Sequence, residues 1–144
     1  MKLAPVIARL QDRVAALRSV HGAADFANAS QHLKIGGVAF VLPLSEAAGD
    51  NQVATGYVRQ RITTRFGVLL AVKNVATPTA EAAIAEIDGL IDQVKAALIG
   101  WLHPDASRTT LYAAGRAMGV DAERVTWWIC EFTSDAFYRT AGES

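Results

Sequence analysis

The chain has 144 residues, and its fourteen Lys and Arg residues balance fourteen Asp and Glu residues. This length suits a single domain, residues 1–144, that buries a core without disulfide or metal support. The zero net charge excludes an overall electrostatic field that would attract nucleic acid or a membrane surface. No apolar run reaches the roughly twenty residues that a helix needs to cross a bilayer. A mean hydropathy of +0.20 is high for a soluble monomer, so we expect apolar surface to be covered by other subunits.

The N-terminal segment is predicted to be a helix over residues 5–20, with Pro5 in its first turn. Charged residues interrupt the segment, so it is not expected to be a signal peptide, and we expect an intracellular protein. A short second helix is expected over residues 23–30. The apolar residues at helical spacing in the first segment are Val6, Leu10, Val14 and Leu17.

Residues 38–44 form a short predicted strand, with Pro43 near its end or on a sheet edge because proline cannot donate a ladder hydrogen bond. Residues 45–56 are polar and contain several glycines, without apolar periodicity. A loop of this length in a compact domain is usually functional or mobile. Its candidate interface residues are Glu46, Asp50 and Asn51.

Residues 57–73 form the clearest strand of the sequence, because apolar residues alternate with a second, polar row. The polar row begins with Tyr57 and carries Arg59, Arg61 and Arg65. Because the strand is long, a bend or bulge is expected at Gly67. After Gly67 both rows are apolar, so we expect that half to be buried on both faces and the first half to project as an arm.

A long helix is predicted to begin at Thr77 as N-cap, with Pro78 in the first helical position, and to end near Gly100. One apolar stripe runs along it and should pack on the apolar row of the long strand. The stripe consists of Ile84, Ile87, Leu90, Ile91, Val94, Leu98 and Trp101.

Residues 109–120 and 124–133 are predicted strands, joined by a hairpin turn over residues 121–123. Trp127 and Trp128 fall on opposite faces of the second strand, so this strand should be covered on both sides. The tail after residue 133 carries Phe137 and Tyr138 and then becomes polar.

These elements, in the order α-β-β-α-β-β, predict an α/β (α+β) fold. The expected architecture is a mainly antiparallel four-stranded sheet with a long β-hairpin arm and with helices packed on one face. The other face must then be solvated or covered by another subunit. Trp101, Trp127 and Trp128 are the aromatic residues expected in the core or at such an interface.

The search for catalytic chemistry finds no supporting pattern. His21, His32 and His103 are far apart and have no metal-ligand spacing with Cys130. Cys130 lies within a predicted strand, where an inert buried thiol is expected. We therefore expect no enzyme activity, no metal and no cofactor.

The arginine row leaves two interpretations open. Arg59, Arg61 and Arg65 either form a solvated edge, or contact carboxylates of a neighbouring subunit or phosphates of nucleic acid. The neutral net charge argues against a dedicated DNA-binding protein.

Several segments together resemble the tail terminator proteins of long-tailed bacteriophages and related prophages. They are residues 4–14 (APVIARLQDRV), 39–44 (AFVLPL), 54–56 (ATG), 58–63 (VRQRIT) and 65–68 (RFGV), followed by Trp127-Trp128 and Glu131-Phe132. The similarity covers most of the chain in order and spacing, and residues 109–118 and the last dozen residues carry less of it.

The resemblance implies a non-enzymatic protomer of a homo-oligomeric, hexameric ring at the head-proximal end of the tail, assembled in the host cytoplasm. Such a ring stops tube polymerisation, contacts the tail tube protein and receives the head-completion or stopper protein. DNA passes through its lumen without sequence-specific binding. The arginines then face a neighbouring subunit or the lumen. Two rival functions remain: another head–tail joining ring protein, and a small-ligand-binding α/β domain.

Overall fold

The computed structural model describes residues 1–29, 33, 36–73, 80–120 and 124–140. The elements that it contains, in chain order, are α1 (Ala4–Arg13), β1 (Leu17–His21), α2 (Ala23–Phe26), β2 (Gly36–Asn51), β3 (Arg59–Lys73), α3 (Ala80–Leu98), β4 (Leu111–Val120) and β5 (Val125–Arg139).

The strands form one five-stranded sheet in the order β1-β2-β3-β5-β4. β1 runs parallel to β2, whereas every other neighbouring pair is antiparallel. The α+β class is therefore confirmed. The sheet is mainly antiparallel, as predicted, but the predicted count of four strands was wrong, because it omitted β1 and its parallel pairing.

The predicted N-terminal helix was too long. α1 ends at Arg13, and its Val6 and Leu10 are buried. Leu17 and Val20 are both buried in β1, where a register irregularity between Leu17 and Ser19 adds one residue to the strand. This β-bulge places apolar residues three positions apart on one face, and the same spacing is typical of a helix.

Two strands are longer than predicted. β2 continues through residues 45–51, because its backbone pairs with β3 as far as Asn51 opposite Gln60. β5 continues past residue 133 to Arg139, which lies opposite Arg59. We call the sheet formed by residues 45–51, 59–65 and 133–139 the arm. The predicted long β-hairpin arm is present as β2 and β3, and β5 adds a third strand that the prediction lacked.

α1 and α3 pack on the same face of the sheet and cover the main core. In α3 the predicted apolar stripe is buried from Ile87 to Leu98, but Ile84 is 54% exposed and does not belong to the core. Trp101 is partly buried and packs against this core. The predicted cap at Thr77 and Pro78 lies outside the described residues.

The opposite face of the sheet carries a second, smaller apolar cluster of Val38, Phe40, Leu69 and Ile129. Phe26 of α2 lies against it, with ring centroids 5.5 Å from Phe40 and 6.3 Å from Trp127. The expectation of helices on one face only was therefore wrong. Trp127 packs on this cluster and Trp128 on the main core, which confirms their opposite orientations.

β3 has two different halves. Its residues 66–72 are all buried, as predicted, whereas residues 59–65 of the arm are exposed or only partly buried. The bulge expected at Gly67 is absent from the regular pairing of β3 with β5. An irregularity lies instead in β2, between Pro43 and Ser45. Gly67 permits close packing, because a Cβ atom there would lie 2.9 Å from Cδ1 of Ile129.

Replacing Ile91 by aspartate should unfold the protein or lower its free energy of unfolding by about 4 kcal/mol or more, since Ile91 is 6% exposed in the main core. Ile84→Asp is the matched control, because it makes the same change on an exposed position of the same helix. Urea unfolding followed by circular dichroism measures both. Equal losses of stability in the two variants would contradict this assignment of the core.

Candidate functional site

The arm presents the predicted arginine row on one face, which we call the arginine face. Arg65, Gly67 and Leu69 alternate along β3, and Leu69 belongs to the second cluster, so this face lies opposite α1 and α3. Pairing with β5 adds residues to it. Its members are Arg59, Arg61, Thr63 and Arg65 of β3 and Glu131, Thr133, Asp135, Phe137 and Arg139 of β5.

Arg65 is paired within the chain. Its Nε atom donates a hydrogen bond of 3.1 Å to Oε1 of Glu131, whose side chain is only 16% exposed. Breaking this pair would leave a largely buried carboxylate without its cation, which costs far more than losing a surface ion pair. Arg65 therefore fixes the base of the arm, where β3 meets β5.

Arg59 lies against an aromatic ring at the outer end of the arm. Its guanidinium lies 4.2 Å from the ring centroid of Phe137, and the guanidinium of Arg108 lies 5.6 Å from the same ring. Arg59 also donates a hydrogen bond to Oε1 of Gln52. These contacts hold two cations beside one ring, an arrangement that favours contact with an anionic partner.

Arg61 differs from both neighbouring arginines. It is exposed, and no ion pair to it occurs among the residues that the structure describes. Its backbone is fixed by pairing with β5, opposite Phe137. Arg61 thus places a positive charge, unpaired among the described residues, at a defined position on the arginine face.

Asp135 connects the arm to the loop that precedes β4. Its carboxylate accepts a hydrogen bond of 2.7 Å from the hydroxyl of Thr63, and its Oδ2 atom lies 4.0 Å from Nη1 of Arg108. Its backbone oxygen accepts hydrogen bonds from the N–H groups of Ser107 and Arg108. Asp135 therefore holds Arg108 beside the arginine face.

The predicted polar residues at the arm tip have separate roles. Oδ1 of Asn51 accepts hydrogen bonds from the N–H groups of Val53 and Arg59, at 3.1 and 3.0 Å, and so closes the turn between β2 and β3. The ring of Tyr57 lies 4.9 Å from the guanidinium of Arg139. Glu46 and Asp50 are exposed on β2, on the outer strand of the arm.

His103 and Cys130, which were considered as possible catalytic groups, are both buried in the fold. His103 is 1% exposed; its Nε2 donates to the carbonyl of Lys2 at 2.6 Å, and its Nδ1 accepts from the N–H group of Asp105. It ties the N-terminal segment to the loop after α3. Burial raises the pKa of the Cys130 thiol to about 11. No cluster of metal-binding side chains occurs within the described part of the chain.

The sequence indicated the arginines of this face but not their partners. Glu131, Asp135 and Phe137 lie more than sixty positions further along the chain and meet β3 only through the β3–β5 pairing. The tail segment shows no alternation of polar and apolar residues that would mark a strand, since Phe137 shares a row with Asp135 and Arg139. Arg108 lies in a loop, where no periodicity marks it.

A comparison of the sequence with protein-family models identifies the family of this chain. The model described as "Phage tail terminator protein" matches residues 1–142. The chain belongs to this family. It is a structural family of the virion tail, whose members interact with other tail components. No curated protein matches the chain at the significance threshold applied. Within the described residues, no helix has the length and apolarity needed to cross a membrane.

We expect Cys130 to resist alkylation in the folded protein at pH 8, because a pKa raised to about 11 leaves almost none of the reactive thiolate. Its complete burial in the main core also blocks access. Iodoacetamide labelling followed by mass spectrometry should show slow modification in buffer and rapid modification in urea. Rapid labelling of the folded protein would contradict the burial and the raised pKa of the Cys130 thiol.

Proposed function

We propose that copies of this chain form a ring, with six protomers, on the head-proximal end of the phage tail tube. The ring stops tube polymerisation and offers its free side to a head-completion protein, while DNA passes through the lumen without sequence-specific binding. Residues 1–144 act as one tail terminator domain in this role. The observation that carries the proposal is the family match over residues 1–142.

The arm supports an assembly role. The arm extends beyond the half of β3 that α3 covers. Because it consists of three paired strands, it has a defined shape, unlike a flexible loop. An isolated two-stranded hairpin is at best marginally stable in water, whereas a third strand provides pairing on both sides of β3. The arm is therefore able to present side chains in fixed positions to tail components.

The arginine face supplies the charge for these contacts. Arg65 is neutralised by Glu131, and Arg108 lies 4.0 Å from the carboxylate of Asp135, so Arg59 and Arg61 are the arginines of β3 that remain for a partner. Their partner is either carboxylates of an adjacent subunit or phosphates of DNA in the lumen. Both require the arm to lie within the assembled ring.

Removing the gene during phage assembly tests the proposed function. Tail termination predicts overlong tails that lack heads in electron micrographs. Tails of normal length without heads would instead indicate a head–tail joining protein and would contradict termination. Expression of the intact chain in trans should restore both normal length and head attachment.

The double change Arg59→Glu and Arg61→Glu should leave the fold intact but reduce complementation of the deletion at least tenfold. Both residues lie on the arm and outside the buried core. Arg13→Glu with Arg18→Glu is the matched control, since it makes the same change of charge at exposed positions far from the arm. Circular dichroism checks folding, and plaque counts measure complementation. Full complementation by the arm variant would contradict a role for these arginines.

A further inference from the structure

β4 is an outer strand of the sheet, and among the described residues no strand covers its free edge. All ten of its residues are exposed or partly buried, although the strand pairs with β5 along its length. It contains no proline, and Arg116 is its only charged residue. Its exposed large apolar side chains are Leu111, Met118 and Val120, at 60%, 52% and 69%. Proteins normally protect such an edge with charges, prolines or covering elements, so a bare edge indicates a strand that acquires a partner.

The opposite side of the sheet has a second free edge. β1 pairs with β2 only as far as Phe40, so no strand among the described residues covers the outer side of residues 41–51. Residues 43–48 are all exposed. This edge carries the acidic residues Glu46 and Asp50 and no basic residue. Pro43 limits pairing near its start, which leaves residues 45–51 as the segment that can accept another strand.

The two edges are complementary in charge and direction. The β4 side carries Arg116, with Arg108 in the preceding loop, whereas the β2 side carries the carboxylates of Glu46 and Asp50. β2 and β5 both run antiparallel to β3, and β4 runs antiparallel to β5, so β4 and β2 run in opposite directions. Rotation about a ring axis to which the strands are tilted would therefore bring β4 of one copy antiparallel to β2 of the next.

We propose that β4 of each copy pairs with residues 45–51 of β2 in the adjacent copy, so that a continuous sheet runs around the ring. The contact joins two different edges, and such a heterologous contact produces a closed ring when its rotation closes. The inference rests on the proposed ring and names the surface that builds it. It also places the arm of each copy against β4 of its neighbour, because residues 45–51 belong to the arm.

The register within one copy defines the shift along the strands that this pairing needs. β4 lies level with residues 37–45 of its own β2, because Val120 and Leu111 correspond through β5 and β3 to Gly37 and Ser45. Pairing with residues 45–51 of the neighbour therefore needs a shift along the strands from copy to copy. A closed sheet requires such a stagger, since its strands tilt relative to the ring axis.

Cross-linking tests the pairing directly. Ala47→Cys and Met118→Cys place one thiol on each edge, and a short bismaleimide then joins thiols on neighbouring strands without requiring an exact register. On purified capped tails, the double variant should give a ladder of cross-linked multimers. Each single variant, which retains the buried Cys130, should stay monomeric. Ile84→Cys with Met118→Cys is the control, because Ile84 is exposed on α3 and away from both edges.

Two results of this experiment would overturn the pairing. Dimers formed by Met118→Cys alone would show that β4 edges pair with each other. A double variant that restores normal tail length but gives no multimers would refute the edge contact while leaving tail termination intact. Failure of the unmodified chain to restore tail length would instead refute the proposed function.

Charge reversal provides an independent test. Arg116→Glu with Met118→Glu on β4, and Glu46→Arg with Asp50→Arg on β2, should each reduce complementation at least tenfold, because like charges then face each other across the contact. Combining all four changes should recover most of the loss. The pairing is refuted if the separate variants assemble normally or if the combined variant remains as defective as either one.

Discussion

The pairing of β3 with β2 on one side and β5 on the other organises the whole structure. β5 lies opposite β3 from Lys73 to Arg59 without interruption, and β2 follows the other side over nearly the same length. One strand thus belongs both to a buried sheet under α3 and to the polar arm. The backbone hydrogen bonds of β3 continue without a break from the core into the arm. They therefore hold the arm in position relative to the core, although few of the arm's own side chains are buried.

The sequence revealed the parts of the fold in which one strand or helix buries its own apolar row. The alternation in β3 and the stripe from Ile87 to Leu98 each gave the correct element. β1 was missed because its bulge imitates helical spacing between Leu17 and Val20. The outer halves of β2 and β5 were missed for another reason. Backbone hydrogen bonds to β3 hold them in the arm, and an exposed strand held in this way needs no alternation of polar and apolar residues in its sequence.

The candidate site was predictable only in part, for a similar reason. The arginine row follows from local alternation, but its electrostatic state depends on residues distant in the sequence. Glu131 neutralises Arg65, while Asp135 and Phe137 hold Arg108 and Arg59 beside the arginine face. Three arginines that look equivalent in the sequence therefore differ in the fold. One stabilises the base of the arm, one lies against an aromatic ring, and Arg61 is available to a partner.

Hydrogen exchange of the chain alone and bound to tail tubes tests most directly the claim that a fixed core presents an assembly arm. In the free chain, backbone amides of residues 66–72 should exchange orders of magnitude more slowly than those of residues 45–51 and 59–65. On tails, the arm amides should become strongly protected while the core amides change little. Equal protection of both halves of β3 in the free chain, or arm amides unchanged on tails, would contradict the account.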